Sequence, residues 1–258
     1  DEGKVIDEEI IKSSAPNLYN YLEKKRELLS GRGYFDKSSK KWFELWNQRN
    51  KNRFYQPKLV TLDTASKNSF TYDNDNFFGT TTTYSLIPKD ESFLKPLLAF
   101  LNSKVLNFYH KKNTIPQAGG YFRYQASFIE NLPIKLNIQK NEQDSLSNLV
   151  DYILFTLAQE KPLNEHVPNS HISETFEEVI DAMVFELYFP EEFKKSGIHF
   201  IQYAERDFES IEEKSQEEQT TIIHNAYQKL REKDNEIRNN LKAMKIELRD
   251  LLMPILTV

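Results

Sequence analysis

Cysteine is absent from this 258-residue chain. That excludes disulfide staples and thiolate metal sites and fits a reducing cytoplasm, where we expect the protein to reside. No apolar run approaches the roughly 20 residues a membrane span needs, so no membrane partner is expected. No basic-then-apolar leader opens the chain, and its first residue is Asp1 rather than methionine; we read it as a fragment of a longer protein. Glycine is scarce, at seven residues, and none lies in a Gly-x4-Gly-Lys loop or a Gly-x-Gly-x-x-Gly run. The five histidines include no His-Glu-x-x-His pair, and no serine sits in a Gly-x-Ser-x-Gly elbow. No catalytic residue, cofactor site or metal site is expected within these residues, and the fragment itself is not read as an enzyme.

What is present is unevenly distributed. The net charge of −5 is the average of two opposed parts. Residues 21–135 hold 19 basic and 10 acidic side chains; the remainder holds 15 basic and 29 acidic ones. The basic part also carries 21 of the 33 aromatic residues and five of the seven glycines. Positive charge attracts phosphate, rings give rigid contact surface, and glycine lets loops approach closely. Such asymmetry points to a polyanion-binding part beside a solvated one.

The pattern of residues predicts an α+β chain. Residues 1–15 show no clear periodicity. Pro16 opens a helical stretch that Gly31 stops. Residues 38–50 read as a short helix or turn carrying Trp42 and Trp46. Lys58 to Leu62 reads as a strand, and 70–72 with 77–87 as a further strand pair joined by the turn Asp73-Asn74-Asp75-Asn76. Residues 92–112 put Leu94, Leu97, Leu98, Leu101, Val105 and Leu106 on one helical face. A glycine-containing loop and a short strand are expected over 113–127. Beyond 141 the expectation is helical, with segments at 143–160, 172–189, 198–213 and 216–252. In the last, Ile223, Tyr227, Leu230, Asp234, Ile237, Leu241, Met244, Leu248, Leu251 and Ile255 alternate four and three apart. This predicts one long C-terminal helix of about 50–60 Å, at ~1.5 Å per residue.

Two segments carry a family likeness. LLAFLNSKVLNFYHKK (97–112) followed by GGYFRYQASFIENLPI (119–134) resembles the TaqI-like C-terminal specificity domain of type IIG restriction enzymes and adenine-specific DNA methyltransferases. Leu101-Asn102-Ser103 and Leu132-Pro133-Ile134 match that family's helix and ending. Pro57-Lys58 and the Tyr72…Thr81–Tyr84 segment look similar, as does EEVIDAMVFELYFPEEF (177–193). The likeness runs over roughly residues 16–200. It implies a lead-in at 1–15, a mixed α/β DNA target-recognition domain at 16–140, and an α-helical spacer domain at 141–258. It also implies a parent enzyme that methylates adenine with S-adenosylmethionine, and uses Mg if it cleaves. The Asn/Asp-Pro-Pro-Tyr/Phe motif of such enzymes is absent here, so the catalytic part is expected in a missing N-terminal portion of the same chain.

On this reading the partner is double-stranded DNA. Phosphate contacts set position and base-edge contacts set sequence. Base-reading expectations fall on Gln117, Tyr121, Arg123, Tyr124 and Gln125, beside Gly119 and Gly120. Arginine can fork onto guanine and glutamine onto adenine. Phosphate expectations fall on Arg49, Lys51, Arg53, Lys58, Lys111 and Lys112, and less specifically on Arg32, Lys40 and Lys41. The first three alternate, which would put them on one side of an extended segment. Asn102 and Ser103 are expected to satisfy backbone groups at a helix–loop junction. The rival reading is a protein–protein module that uses the acidic helices and the heptad seam.

Overall fold

The computed structural model describes residues 5–33, 35, 38–45, 51–79 and 82–257. The chain falls into two compact units, 1–56 and 57–258.

The first unit holds three short helices, α1 (Glu8–Ser14), α2 (Pro16–Glu23) and α3 (Arg26–Ser30), and a 3-10 turn at Lys51–Arg53. Asp7 caps α1 by accepting the Glu9 N–H at 3.0 Å, and Pro16 starts α2, where its missing N–H costs nothing. The lead-in is thus helical where no periodicity was legible. Its Glu8 carboxylate accepts from the Tyr19 hydroxyl (2.9 Å), Arg26 (3.1 Å) and the Trp42 indole (3.3 Å). Trp42 is therefore a packing residue of this unit, with the Arg26 guanidinium 4.1 Å from its ring centroid. Trp46 lies outside the described residues.

The second unit begins with the strand expected from the sequence, β1 (Lys58–Leu62). Next come β2 (Thr64–Ala65), β3 (Thr71–Asp73) and β4 (Thr83–Leu86). The expected pairing of the 70–72 and 77–87 strands is corrected: β3 and β4 each pair antiparallel with β1, in the order β3-β1-β4. The apolar face of residues 92–112 is real but bent. Helix α4 (Leu94–Asn102) ends at Ser103, whose backbone is extended, and α5 (Lys104–Asn113) starts there with the Ser103 hydroxyl accepting the Leu106 N–H. Asn102 grips the Phe70 backbone through both its amide atoms, each at 2.9 Å. Both residues thus perform the backbone-satisfying role expected of them.

Strands β5 (Pro116–Gln117) and β6 (Tyr121–Arg123) follow, and with β2 they make a second small sheet of order β2-β6-β5. After the short α6 (Ala126–Ile129) the unit is helical: α7 (Lys140–Ala158), α8 (Asn169–Tyr188), α9 (Pro190–Ser196), α10 (Ile201–Asp207), α11 (Gln216–Arg231), α12 (Glu236–Glu247) and α13 (Arg249–Leu256). Capping boxes at Gln139/Glu142 and Ser215/Glu218 start α7 and α11. Helix α7 packs on α8 and α4, and α4 packs on β1 and β3. One apolar core therefore runs from Leu59 to Ile255, with no break in packing at residue 140.

The single long C-terminal helix is also corrected. It breaks at Glu232, where the backbone turns extended, and restarts where Asn235 caps α12 by accepting the Arg238 N–H. A second break falls at Leu248. The seam itself is buried: Ile223, Tyr227, Leu230, Ile237, Met244, Leu248 and Ile255 all lie in the core. The broken segment lays this apolar stripe on α5, α8 and α10, which removes it from water at ~25 cal/mol per Å².

Candidate nucleic-acid interface

Helix α5 ends in His110-Lys111-Lys112; the two lysines are cations placed where the helix dipole is negative, and His110 is buried. The chain then makes the hairpin β5–β6, with Gln117 opposite Tyr121 and Pro116 opposite Phe122. Its turn needs Gly119 (φ +77) and Gly120 (φ +78), which occupy the left-handed region a side chain resists. Alternation along β6 sends Phe122 toward the core and puts Tyr121 and Arg123 on the opposite face. Tyr121 is exposed, as are Ile115, whose carbonyl bonds β6 at Arg123, and Leu62 at the end of β1.

Arg123 is the most constrained residue of this hairpin. Its N–H donates to the Ile115 carbonyl at 3.3 Å. Its carbonyl accepts from the Thr114 hydroxyl (2.6 Å) and from His110 Nε2 (2.9 Å). Accepting carbonyl and donating ring fix His110 as the Nε2–H tautomer, and burial holds its pKa below the ordinary value. The Arg123 guanidinium pairs through Nη1 with the Asp63 carboxylate. The other Asp63 oxygen accepts the Tyr84 hydroxyl at 3.2 Å. Burial and the adjacent Asp63 charge push the Tyr84 phenol pKa up, so it keeps its proton and donates. Asp63 is itself pinned at the corner where the chain passes from one sheet to the other. Its N–H donates to the Thr82 carbonyl and its carbonyl accepts the Tyr124 N–H, each at 2.8 Å.

Several expected site residues are placed otherwise. Tyr124 is fully buried; its ring stacks on His110 at 4.1 Å and its hydroxyl donates to Asn68 Oδ1 at 2.9 Å. It is a pillar beneath Arg123, not an outward-facing group. Lys58 is also fully buried, paired with Asp73 at 2.5 Å, and presents no charge at the surface. Arg49 lies outside the described residues. Lys51 and Arg53 sit in a 3-10 turn of the first unit, where residues two apart diverge, so the extended-segment alternation does not hold for them. Arg32, Lys40 and Lys41 are engaged within the first unit, with Trp42 O, Leu45 O and Asp7 respectively.

The remaining residues gather in the second unit. Lys111 lies over the Phe122 ring at 5.3 Å and Lys112 over Phe108 at 5.7 Å, both near the helix end that leads into the hairpin. Gln117 is half-buried, with its amide donating to the Pro116 carbonyl at 3.2 Å. Gln125 is exposed just before α6. Sequence reasoning missed Asp63, Tyr84 and His110. A lone aspartate after a strand gives no signal for a partner 60 residues away. Among the described residues, no group of His, Cys, Asp or Glu is arranged to hold a metal ion, and no helix is long and apolar enough to cross a membrane.

Residues 7–134 match the model of the TaqI-like C-terminal specificity domain, and this stretch of the chain belongs to that family. The match begins at α1, ahead of the expected Pro16, and ends at Ile134, so the likeness noted over 177–193 lies beyond it. The chain is 27% identical over 147 residues to the type II methyltransferase M.BanIII of Aneurinibacillus aneurinilyticus, covering 54% of this chain and 25% of that protein. It is 28% identical over 171 residues to the type II methyltransferase M.MjaIV of Methanocaldococcus jannaschii, covering 63% of this chain and 55% of that protein. A third relative, the type II methyltransferase M.PaeR7I of Pseudomonas aeruginosa, is 24% identical over 119 residues. The chain thus spans a quarter of the first relative's length and just over half of the second's.

Proposed function

We propose that this chain is the DNA target-recognition part of a type IIG restriction-modification enzyme, and that it reads the sequence of duplex DNA. The observation that carries the reading is the β5–β6 hairpin. It sets Arg123 beside exposed Tyr121, behind a two-glycine turn, with Lys111 and Lys112 on the helix that feeds it. A hairpin fits the major groove, about 12 Å wide, where each base pair shows a distinct donor and acceptor pattern. Arg123 reads base edges; Tyr121, Gln117 and Gln125 supply adjacent contacts; Lys111 and Lys112 meet phosphate. The family match and the three methyltransferase relatives support this assignment.

The parent protein is an adenine-specific DNA methyltransferase in this proposal, with or without an endonuclease. S-adenosylmethionine, and Mg for any cleavage, would be held by parts other than these residues. The sequence has neither the glycine-rich loop for the first nor the Pro-Pro motif that grips a flipped adenine. Residues 16–140 are the reader and 141–258 the spacer that carries it. The buried C-terminal seam counts against the rival protein–protein reading, because that apolar stripe already has its cover. Titration of the chain onto a duplex across a salt series tests the proposal. Affinity should fall steeply and linearly in log-log form as counterions are released. Affinity that ignores salt, or its absence, refutes it.

A further inference from the structure

The Asp63–Arg123 pair has the wrong character for a stabilising bridge. The guanidinium side chain keeps 35% of its surface in solvent and the carboxylate 18%. An ion pair that wet contributes only about 0–1 kcal/mol. Yet both partners are held by their backbones on either side, and Tyr84 binds the second carboxylate oxygen. Such anchoring fixes a direction more than it adds stability. With Nη1 taken by Asp63, the Nε and Nη2 donors have no partner among the described residues. Those two atoms form one edge of the planar fork, spaced to meet two acceptors at once.

We infer that Asp63, supported by Tyr84, is a specificity-determining positioning residue that holds Arg123 with its Nε–Nη2 edge turned out to grip a guanine. The inference rests on the DNA-reading function proposed above and adds its chemistry: one position of the target is guanine, read at O6 and N7. Asp63 touches no base. It removes the rotamer search that a long, solvated arginine otherwise makes on binding, and it denies Nη1 to competing phosphate contacts.

The test is base preference at each position, read by selection of the chain and its variants on randomised duplexes. The unaltered chain should prefer guanine at one position. Arg123→Lys should erase that preference, since an ammonium cannot fork. Asp63→Asn, nearly isosteric, should lower guanine discrimination at that position alone by on the order of tenfold, about the weight of one bidentate base contact. Tyr84→Phe should lower it by about threefold, the weight of one hydrogen bond. Thermal melting of each variant is followed alongside. If Asp63→Asn does not fold, Tyr84→Phe decides. A chain with a sequence preference that neither Asp63→Asn nor Tyr84→Phe alters at any one position overturns this inference and leaves the DNA-reading function standing. A chain without any sequence preference overturns that function and this inference with it.

Discussion

Lys58 and Asp73 stand directly opposite one another on the antiparallel strands β1 and β3, their charges 2.5 Å apart and both side chains buried. The lysine that the sequence offers as a phosphate contact is spent inside the fold. Asp73 also accepts the Asp75 N–H at 2.9 Å, so the pair sets the turn that leads out of β3 toward the exposed Phe77. Burial acts against the Asp73 charge, but the Lys58 ammonium and the Asp75 N–H outweigh it and hold its pKa below the ordinary 3.8.

Breaking one side of that pair should therefore be costly. Lys58→Met leaves a buried carboxylate uncompensated and is expected to destabilise the second unit by about 3–5 kcal/mol. The double change Lys58→Met with Asp73→Leu should recover most of the loss, because the stranded charge is gone. Urea unfolding of the unaltered chain and of the two variants measures this. A single Lys58→Met change within 1 kcal/mol of the unaltered chain, roughly a surface-substitution effect, would contradict the buried pairing.

His110 makes the hairpin sensitive to acid. Its folded pKa lies below the ordinary 6.5, chiefly from burial, so the unfolded chain takes up a proton before the folded one does. Its contribution is complete above pH 6.5 and is lost as pH falls from there through the folded value. The melting temperature should decline between pH 7.5 and 5.5, and His110→Gln should flatten that part of the curve. An unchanged slope in His110→Gln would assign the acid sensitivity to other groups.

The C-terminal helices should not separate from the sheets. Ile237 on α12 is fully buried in the core that also holds Leu59 and Phe70. Ile237→Ala is expected to cost about 2–5 kcal/mol, and residues 57–258 should still unfold in one transition. Light scattering should report the same mass for both forms, since the seam faces inward. A dimer that Ile237→Ala dissociates into a well-folded monomer would contradict the inward packing.

Much of this was legible from residues. Strand β1 and the backbone-satisfying role of Asn102 and Ser103 followed from local pattern, and the structure has them where expected, although these two residues join two helices and not a helix and a loop. The buried seam was legible too, because apolar periodicity demands cover. Its straightness was not: a heptad pattern continues through Asp234, while capping by Asn235 is a local competition that periodicity does not register. Long-range partners were the least legible. Nothing beside Lys58 in the sequence names Asp73, nothing beside Tyr124 shows that its ring stacks on His110, and the 60-residue span from Asp63 to Arg123 has no sequence signature.

The central claim is that the chain reads duplex DNA through the hairpin around Arg123. Selection from randomised duplexes by the unaltered chain and by Arg123→Ala tests it most directly. We expect the unaltered chain to enrich one short sequence containing guanine. Arg123→Ala should lose about 1–3 kcal/mol on that sequence and much less on random duplex. Equal losses on both would reduce Arg123 to a phosphate contact, and a pool that stays random with the unaltered chain would contradict the account.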